Sequence, residues 1–372
     1  MLRSRRAMQQ RQQKTTRDTQ QTDVDHAEPN RMATTKKPAV PPSGVWAPAV
    51  TLFDPDTDTL LLEDQKRYFG YLASTGLAGL VVLGTNAETF LLTREERTAL
   101  LAAARVAVGP DFPIMAGVSG HSTAQVLEYM ADAKAAGADY ALLLPPAYFG
   151  AKASPPAVVA HFYDDVAAAA PLPIVLYNFP GVCNGVDLDS DTVAGLARRH
   201  PGVVVGVKLT CGSVAKVVRL AAELPPDKFA IYGGQADFLV GALAVGAAGC
   251  ISAFANICPK TVVQIYRLWT GHASRASTDA LRHDDSRSAD VRSADRAAAI
   301  ALHKQAALAE RPCKNGIATT KYAAAVYTAG PAGIADAVAK MRPRRPYLEP
   351  SEAEKDRCRG LLAEMAKVEA AL

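Results

Sequence analysis

Lys208 closes an apolar, β-branched run, Val203-Val204-Val205-Gly206-Val207-Lys208, and one unit upstream Ile174-Val175-Leu176-Tyr177 closes on a tyrosine. Placed on neighbouring strands of a parallel barrel, the two runs bring an amine and a phenol together at one rim. An amine attacks a carbonyl carbon only in its neutral form, which dry surroundings favour, and a phenol beside it can pass protons. The pairing suits Schiff-base chemistry on a 2-oxo acid. A lysine at the end of a buried strand also serves simply by reaching for solvent, so the rest of the chain has to decide between the two readings.

From residue 44 onward, short apolar runs alternate with longer Ala/Leu-rich segments, the pattern of a parallel α/β fold. Eight runs read as strands, at 46–53, 79–83, 114–117, 140–144, 174–177, 203–208, 229–232 and 249–253. Eight is the number that closes a (β/α)8 TIM barrel. Thr93-Arg94-Glu95-Glu96 reads as a capping box, and Ser122-Thr123 and Ser154-Pro155 open two further helical runs. An open, doubly wound sheet would want a glycine-rich phosphate loop after its first strand, and Phe53-Asp54-Pro55-Asp56 is not one.

Residues 259–271 supply an eighth helix. The stretch 272–296 then loses all apolar period and reads as a surface insertion without fixed structure. Helical segments follow near 296–309, 332–341 and 351–371, the last opened by a second capping box, Ser351-Glu352-Ala353-Glu354. The expected layout is a disordered basic tail (1–43), a barrel (44–271), the insertion (272–296) and a C-terminal helical appendix (297–372).

The 372 residues are 49% hydrophobic and 21% charged, an ordinary globular composition, and no stretch is long and apolar enough for a membrane span. Net charge is +4, but nine Lys/Arg against four Asp/Glu in residues 1–43 leave the remainder close to −1. The body therefore carries no electrostatic footprint for nucleic acid. The six cysteines (Cys183, Cys211, Cys250, Cys258, Cys313, Cys358) have no C-x-x-C spacing, which fits a reducing compartment. The cytoplasm is the expected location; the acid-free, Arg-rich opening (Arg3, Arg5, Arg6, Arg11, Arg17) also admits a mitochondrial presequence.

Catalytic groups of such barrels sit at the C-terminal ends of the strands. The second strand ends in Gly84-Thr85-Asn86-Ala87-Glu88, where hydroxyl, amide and backbone N–H groups can hold a carboxylate, although a loop of this kind is also a common turn. The fourth ends in Pro145-Pro146-Ala147-Tyr148-Phe149 and brings a second phenol to the rim. The fifth continues as Tyr177-Asn178-Phe179-Pro180 and the sixth as Lys208-Leu209-Thr210-Cys211-Gly212. Small residues at Gly233-Gly234-Gln235 and Gly249-Cys250-Ile251-Ser252 leave room for a small ligand. None of the seven histidines pairs at a ligand spacing or ends a strand, so no metal site is expected. No G-x-S-x-G elbow, P-loop or dinucleotide fingerprint is present. Lys208 is the only amine at a strand end.

Taken in order, these strand-end motifs resemble those of the dihydrodipicolinate synthase and N-acetylneuraminate lyase family, pyruvate-dependent class I aldolases, over residues 44–271. The resemblance implies a covalent imine on Lys208 and no cofactor, with Tyr177 of the Y-N-x-P motif as proton shuttle and Thr85 as its relay partner. It implies that Asn86 holds the substrate carboxylate and that Thr210, Gly234 and Ile251 line the pocket. It also implies that Tyr148 is a catalytic relay tyrosine that reaches into a neighbouring subunit, which makes the protein a homo-oligomer, a dimer or a dimer of dimers. The synthases carry an arginine after Y-N-x-P to pair a second carboxylate, whereas this chain reads Gly181-Val182-Cys183-Asn184-Gly185. They also carry threonine where Asn86 stands. Both departures bring the chain closer to the 4-hydroxy-2-oxoglutarate and 2-keto-3-deoxy-sugar-acid aldolases. The expected activity is reversible cleavage of a 4-hydroxy-2-oxo acid or 2-keto-3-deoxy sugar acid to pyruvate plus an aldehyde, acting on a small 2-oxo acid without nucleic acid or membrane. The alternatives are dihydrodipicolinate synthesis from pyruvate and aspartate semialdehyde, a dehydratase using the same imine, and a non-catalytic binding barrel.

Overall fold

Runs of Val, Ile and Leu without polar alternation have no face to offer solvent, and parallel strands covered on both sides accept them. In a computed structural model, which describes residues 40–271 and 289–372, eight such runs are strands: β1 (Gly44–Pro48), β2 (Gly79–Val82), β3 (Ile114–Gly117), β4 (Tyr140–Leu143), β5 (Ile174–Asn178), β6 (Val204–Leu209), β7 (Ala230–Gly233) and β8 (Gly249–Ile251). Every strand residue is buried. The strands pair in chain order, all parallel, and β8 pairs back onto β1 to close the TIM barrel.

The first strand is shorter than the run at 46–53 suggested. Beyond Ala49, whose N–H still donates to Val81 O of β2 (3.0 Å), the backbone finds side-chain partners: Val50 N donates to Asn256 Oδ1 (3.2 Å) and Leu52 N to Gln65 Oε1 (2.9 Å). Phe53 keeps only an isolated antiparallel bridge to Leu60.

The barrel interior is packed at its N-terminal end. Trp46 meets Tyr140 and Tyr232 edge-on, with ring centroids 6.2 and 6.3 Å apart. The two phenols donate to the carbonyls of Val40 and Pro41, so the segment before β1 closes the bottom. A Cβ at Gly79 would lie 2.4 Å from the Trp46 ring, so glycine is what lets the indole lie across the neighbouring strand.

Helices α1 (Leu62–Ser74), α2 (Arg94–Val108), α3 (Thr123–Ala135), α4 (Pro156–Ala169), α5 (Ser190–Arg199), α6 (Val214–Glu223), α7 (Leu239–Leu243) and α8 (Pro259–Thr270) cover the strands. The Thr93–Glu96 capping box closes both its bonds at the start of α2, and Ser122 caps α3. Ser154 does not cap α4, which Pro155 and Pro156 open with their fixed φ.

Five C-terminal helices follow: α9 (Ala289–Ala309), α10 (Arg311–Lys314), α11 (Ile317–Tyr327), α12 (Ala337–Lys340) and α13 (Glu352–Ala371). They belong to one compact unit with the barrel. The Glu369 carboxylate of α13 accepts from the Lys260 and Thr261 N–H groups (2.9 and 2.7 Å), placing an anion on the N-terminus of α8. The expected tail lies outside the described residues as far as residue 39, as does the expected insertion at 272–288. Residues 289–296, which the loss of apolar period assigns to that insertion, are helical. Their lack of apolar period reflects first turns of α9 that face solvent on nearly every side.

Candidate active site

β5 and β6 pair with Tyr177 level with Lys208, and the next pair, Asn178 with Leu209, ends both strands at the same rim. Side chains of level residues on adjacent strands lie on one face of the sheet. Lys208 Nζ accordingly sits 4.2 Å from the centre of the Tyr177 ring. Both side chains are only 3% exposed, so the amine lies in the barrel mouth and not in bulk solvent. Of the two readings open for a strand-end lysine, the structure has the buried one. Cys250, on β8, is near enough that Lys208 opposes the rise burial imposes on its thiol pKa.

Thr85 reaches this pair from β2. Its hydroxyl lies 3.2 Å from the Tyr177 hydroxyl, at the start of a single 3-10 turn, Thr85–Ala87. Thr85 and Asn86 are half-buried. Two non-glycine residues in the left-handed region bracket the turn, Leu83 (φ 65) and Glu88 (φ 58). Such backbone costs on the order of 1 to 3 kcal/mol and persists only where its surroundings enforce it.

Thr210 follows β6, and its Oγ1 is buried without a protein partner. A Cβ at Gly234 would lie 2.0 Å from that oxygen and 2.4 Å from Thr210 Cα, so only glycine lets the loop after β7 close against it. Ile251, at the end of β8, is fully buried. Thr210 and Gly234 are therefore in contact.

Asn178 has a role the motif alone did not reveal. It is fully buried, its Oδ1 accepts from Leu188 N (2.9 Å), and its Nδ2 donates to Asp187 Oδ1 (2.7 Å). Lys216 of α6 pairs with the same Asp187 and donates to Leu188 O (2.8 Å). This network folds residues 179–188 back over the end of β5.

Tyr148 stands apart from the Lys208 group. It is 71% exposed, against His121 and Phe149 at centroid distances of 5.5 and 5.2 Å, and Phe90 stacks on His121. Beside these rings lies a cleft of about 170 Å³, whose wall includes Ser119, Cys183 and Asn184. Asn184 Nδ2 donates to Ala147 O (2.7 Å) and ties the two loops that bound it. No Arg or Lys lines the cleft. Among the described residues, no three His, Cys, Asp or Glu side chains come together as a metal-binding group, and no helix is long and apolar enough to cross a membrane.

Sequence reading missed a charged group under the site. Glu88, at the end of the Thr85 loop, pairs with Lys321 of α11, and both side chains are almost completely buried. The only signal was a lone lysine in an Ala-rich segment.

A buried amine beside a phenol, itself bonded to a hydroxyl, can form an imine and move protons at the adjoining carbons. Comparison with known proteins agrees. Over 336 residues the chain is 59% identical to a Coccidioides immitis (strain RS) protein that bears the provisional name of a mitochondrial 4-hydroxy-2-oxoglutarate aldolase, covering 90% of this chain and 99% of that one. It is 35% identical over 253 residues to L-threo-3-deoxy-hexylosonate aldolase of Aspergillus niger, covering 61% of this chain and 75% of that one. The crystal structure of a dihydrodipicolinate synthase family protein from Coccidioides immitis superposes with a TM-score of 0.79 at 55% identity, over 90% of this chain and 99% of that chain. The family model described as the dihydrodipicolinate synthetase family matches residues 41–285, so the chain belongs to that family.

Proposed function

We propose that the protein is a class I lyase that cleaves a 4-hydroxy-2-oxo acid, one lacking oxygen at C3, to pyruvate and an aldehyde. Lys208 Nζ attacks the C2 carbonyl, whose oxygen leaves as water. Tyr177, which gave its proton to that departing water and so left the imine protonated, then takes the proton of the C4 hydroxyl while the C3–C4 electron pair moves to the iminium nitrogen, and the aldehyde departs. The remaining enamine is protonated at C3, and water hydrolyses the imine to pyruvate and free Lys208. The imine itself is the electron sink, so family members of this kind need no cofactor.

One observation carries the reading: Tyr177 and Lys208 share a register level, with the Thr85 hydroxyl 3.2 Å from the phenol. In this account Thr85 relays the proton, Asn86 and the unpartnered Thr210 hydroxyl receive the substrate carboxylate, and Gly234 and Ile251 shape the pocket. The cleft beside Tyr148, lacking Arg and Lys, suits the uncharged hydroxylated end of a 3-deoxy sugar acid better than a second carboxylate. Tyr148, Phe149 and Phe90 make an exposed aromatic patch that suits burial against a second copy of the chain. Two fungal relatives are named as mitochondrial, and the Arg-rich opening of this chain suits a presequence.

The test is a substrate panel. Purified protein is expected to release pyruvate from 4-hydroxy-2-oxoglutarate or a 3-deoxy-2-oxohexonate, followed by coupled reduction to lactate. Faster consumption of aspartate semialdehyde with pyruvate would make it a synthase instead.

A further inference from the structure

The ion pair between Glu88 and Lys321 is the most completely buried one among those the described residues form. The two side chains are 2% and 0% exposed, with Lys321 Nζ 2.6 Å from Glu88 Oε1. The second carboxylate oxygen, Oε2, accepts from the backbone N–H of Arg344 (2.7 Å). The Phe53 ring lies beside both cations, 4.6 Å from Lys321 Nζ and 5.0 Å from Arg344 Cζ. Two further acids, Asp58 and Glu96, pair with the Arg344 side chain. Burying two charges offsets most of what their attraction gains, so such a pair is a poor way to add stability.

Its location gives it another use. Glu88 closes the turn that presents Thr85: its N–H donates to Thr85 O (3.0 Å), and its carbonyl accepts from Leu91 N (2.8 Å). It does so from a left-handed backbone, φ 58 and ψ 37, which a residue with a side chain adopts only under constraint. At the other end of the turn, Leu83 is held in the same region with its carbonyl packed where a Cβ of Gly117 would stand, 1.8 Å away. The turn is thus enforced from both ends, at one by the absence of a side chain and at the other by an ammonium from α11.

We propose that Lys321, through Glu88, is a positioning residue for the reaction: the C-terminal appendix fixes the turn from which Thr85 meets Tyr177. This rests on the reading in which Thr85 relays the proton. The Thr85–Tyr177 bond, at 3.2 Å, is already longer than the usual O–H···O range, so a small relaxation of Glu88 breaks it. Misplacing a catalytic group by about 1 Å costs on the order of 10²-fold in rate.

The experiment compares kcat, KM and trapping of pyruvate on Lys208 by borohydride for the wild type, Lys321→Met, Glu88→Gln/Lys321→Met, Thr85→Val and Thr85→Val/Lys321→Met. Replacing both members of the pair guards against a lone buried charge unfolding the protein, and near-UV circular dichroism reports the fold. The expected result is folded variants whose kcat falls on the order of ten-fold or more, with pyruvate still trapped on Lys208. Thr85→Val/Lys321→Met is expected to be no slower than Thr85→Val alone, since both changes break one relay. Additive losses, or a folded Lys321→Met with kcat within about twofold of wild type, overturn the proposal. So does loss of the fold in both Lys321→Met and Glu88→Gln/Lys321→Met, which makes the pair a determinant of folding. If Thr85→Val is itself at full speed, the relay reading has failed, and the positioning role fails with it.

Discussion

Three side chains from three strands, Thr85, Tyr177 and Lys208, converge within the mouth of the barrel, and their division of labour can be separated by removing one oxygen. Tyr177→Phe keeps the ring that packs against Lys208 Nζ and deletes only the hydroxyl that Thr85 bonds. We expect kcat to fall on the order of 10²-fold while Lys208 still forms a trappable imine, measured by steady-state turnover and by mass spectrometry. Turnover at the wild-type rate would remove the phenol from the proton path. Lys208 and Tyr177 were legible in the sequence because each ends an apolar run on a neighbouring strand, and neighbours in a barrel share a rim. The Thr85–Tyr177 bond was not legible from the runs themselves, since it joins β2 to β5 across the barrel mouth and no local pattern encodes that distance. The role of Asn178 was hidden for a related reason, since it turns away to fold its loop, whereas Thr210 and Gly234 were named by the resemblance and the structure adds their contact.

At the scale of elements, the strands were the easiest part to read, because strands buried on both faces leave uninterrupted Val/Ile/Leu runs. Their ends were harder. β1 stops at Pro48 although the apolar run continues to Phe53, since side-chain amides of Gln65 and Asn256 take over the backbone there. Helix α11 was missed altogether. Seven consecutive residues, Thr319 to Ala325, are buried in it, so it has no polar face to generate a period. Its adjacent threonines, Thr319 and Thr320, also lower helix propensity, and their hydroxyls bond back to Pro312 O and Gly316 O. Missing α11 meant missing Lys321. The C-terminal appendix is more than a helical attachment to the barrel: it sends a buried charge to Glu88, at the end of the Thr85 turn.

Across the described residues, several tyrosines and cysteines are buried. Burial pushes Cys183 up to about 12, Cys358 to about 11, and Tyr71 and Tyr266 to about 12. Between their ordinary range and these raised values, the folded protein keeps protons that the unfolded chain has released. Unfolding therefore releases protons, and stability falls as pH rises past about 9. Lys321 acts in the opposite sense, because burial pulls it down to about 8 against the pull of Glu88, but it is one group against several. We predict a thermal midpoint clearly lower at about pH 10 than at about pH 8, measured by calorimetry; a midpoint that stays level or rises would contradict this burial pattern. The barrel class was legible at this scale from eight strands in alternation with helices. The packing of the appendix was not, because Glu369 reaches the start of α8 from more than a hundred residues away in the chain.

The central claim is that Lys208 is the nucleophile, and borohydride trapping reads it most directly. Protein incubated with pyruvate and reduced should carry one reduced pyruvate, located by peptide mass spectrometry on Lys208, and Lys208→Ala should carry none and turn over no substrate. An unmodified Lys208 peptide from active wild-type protein, or a label on another lysine, would contradict the account.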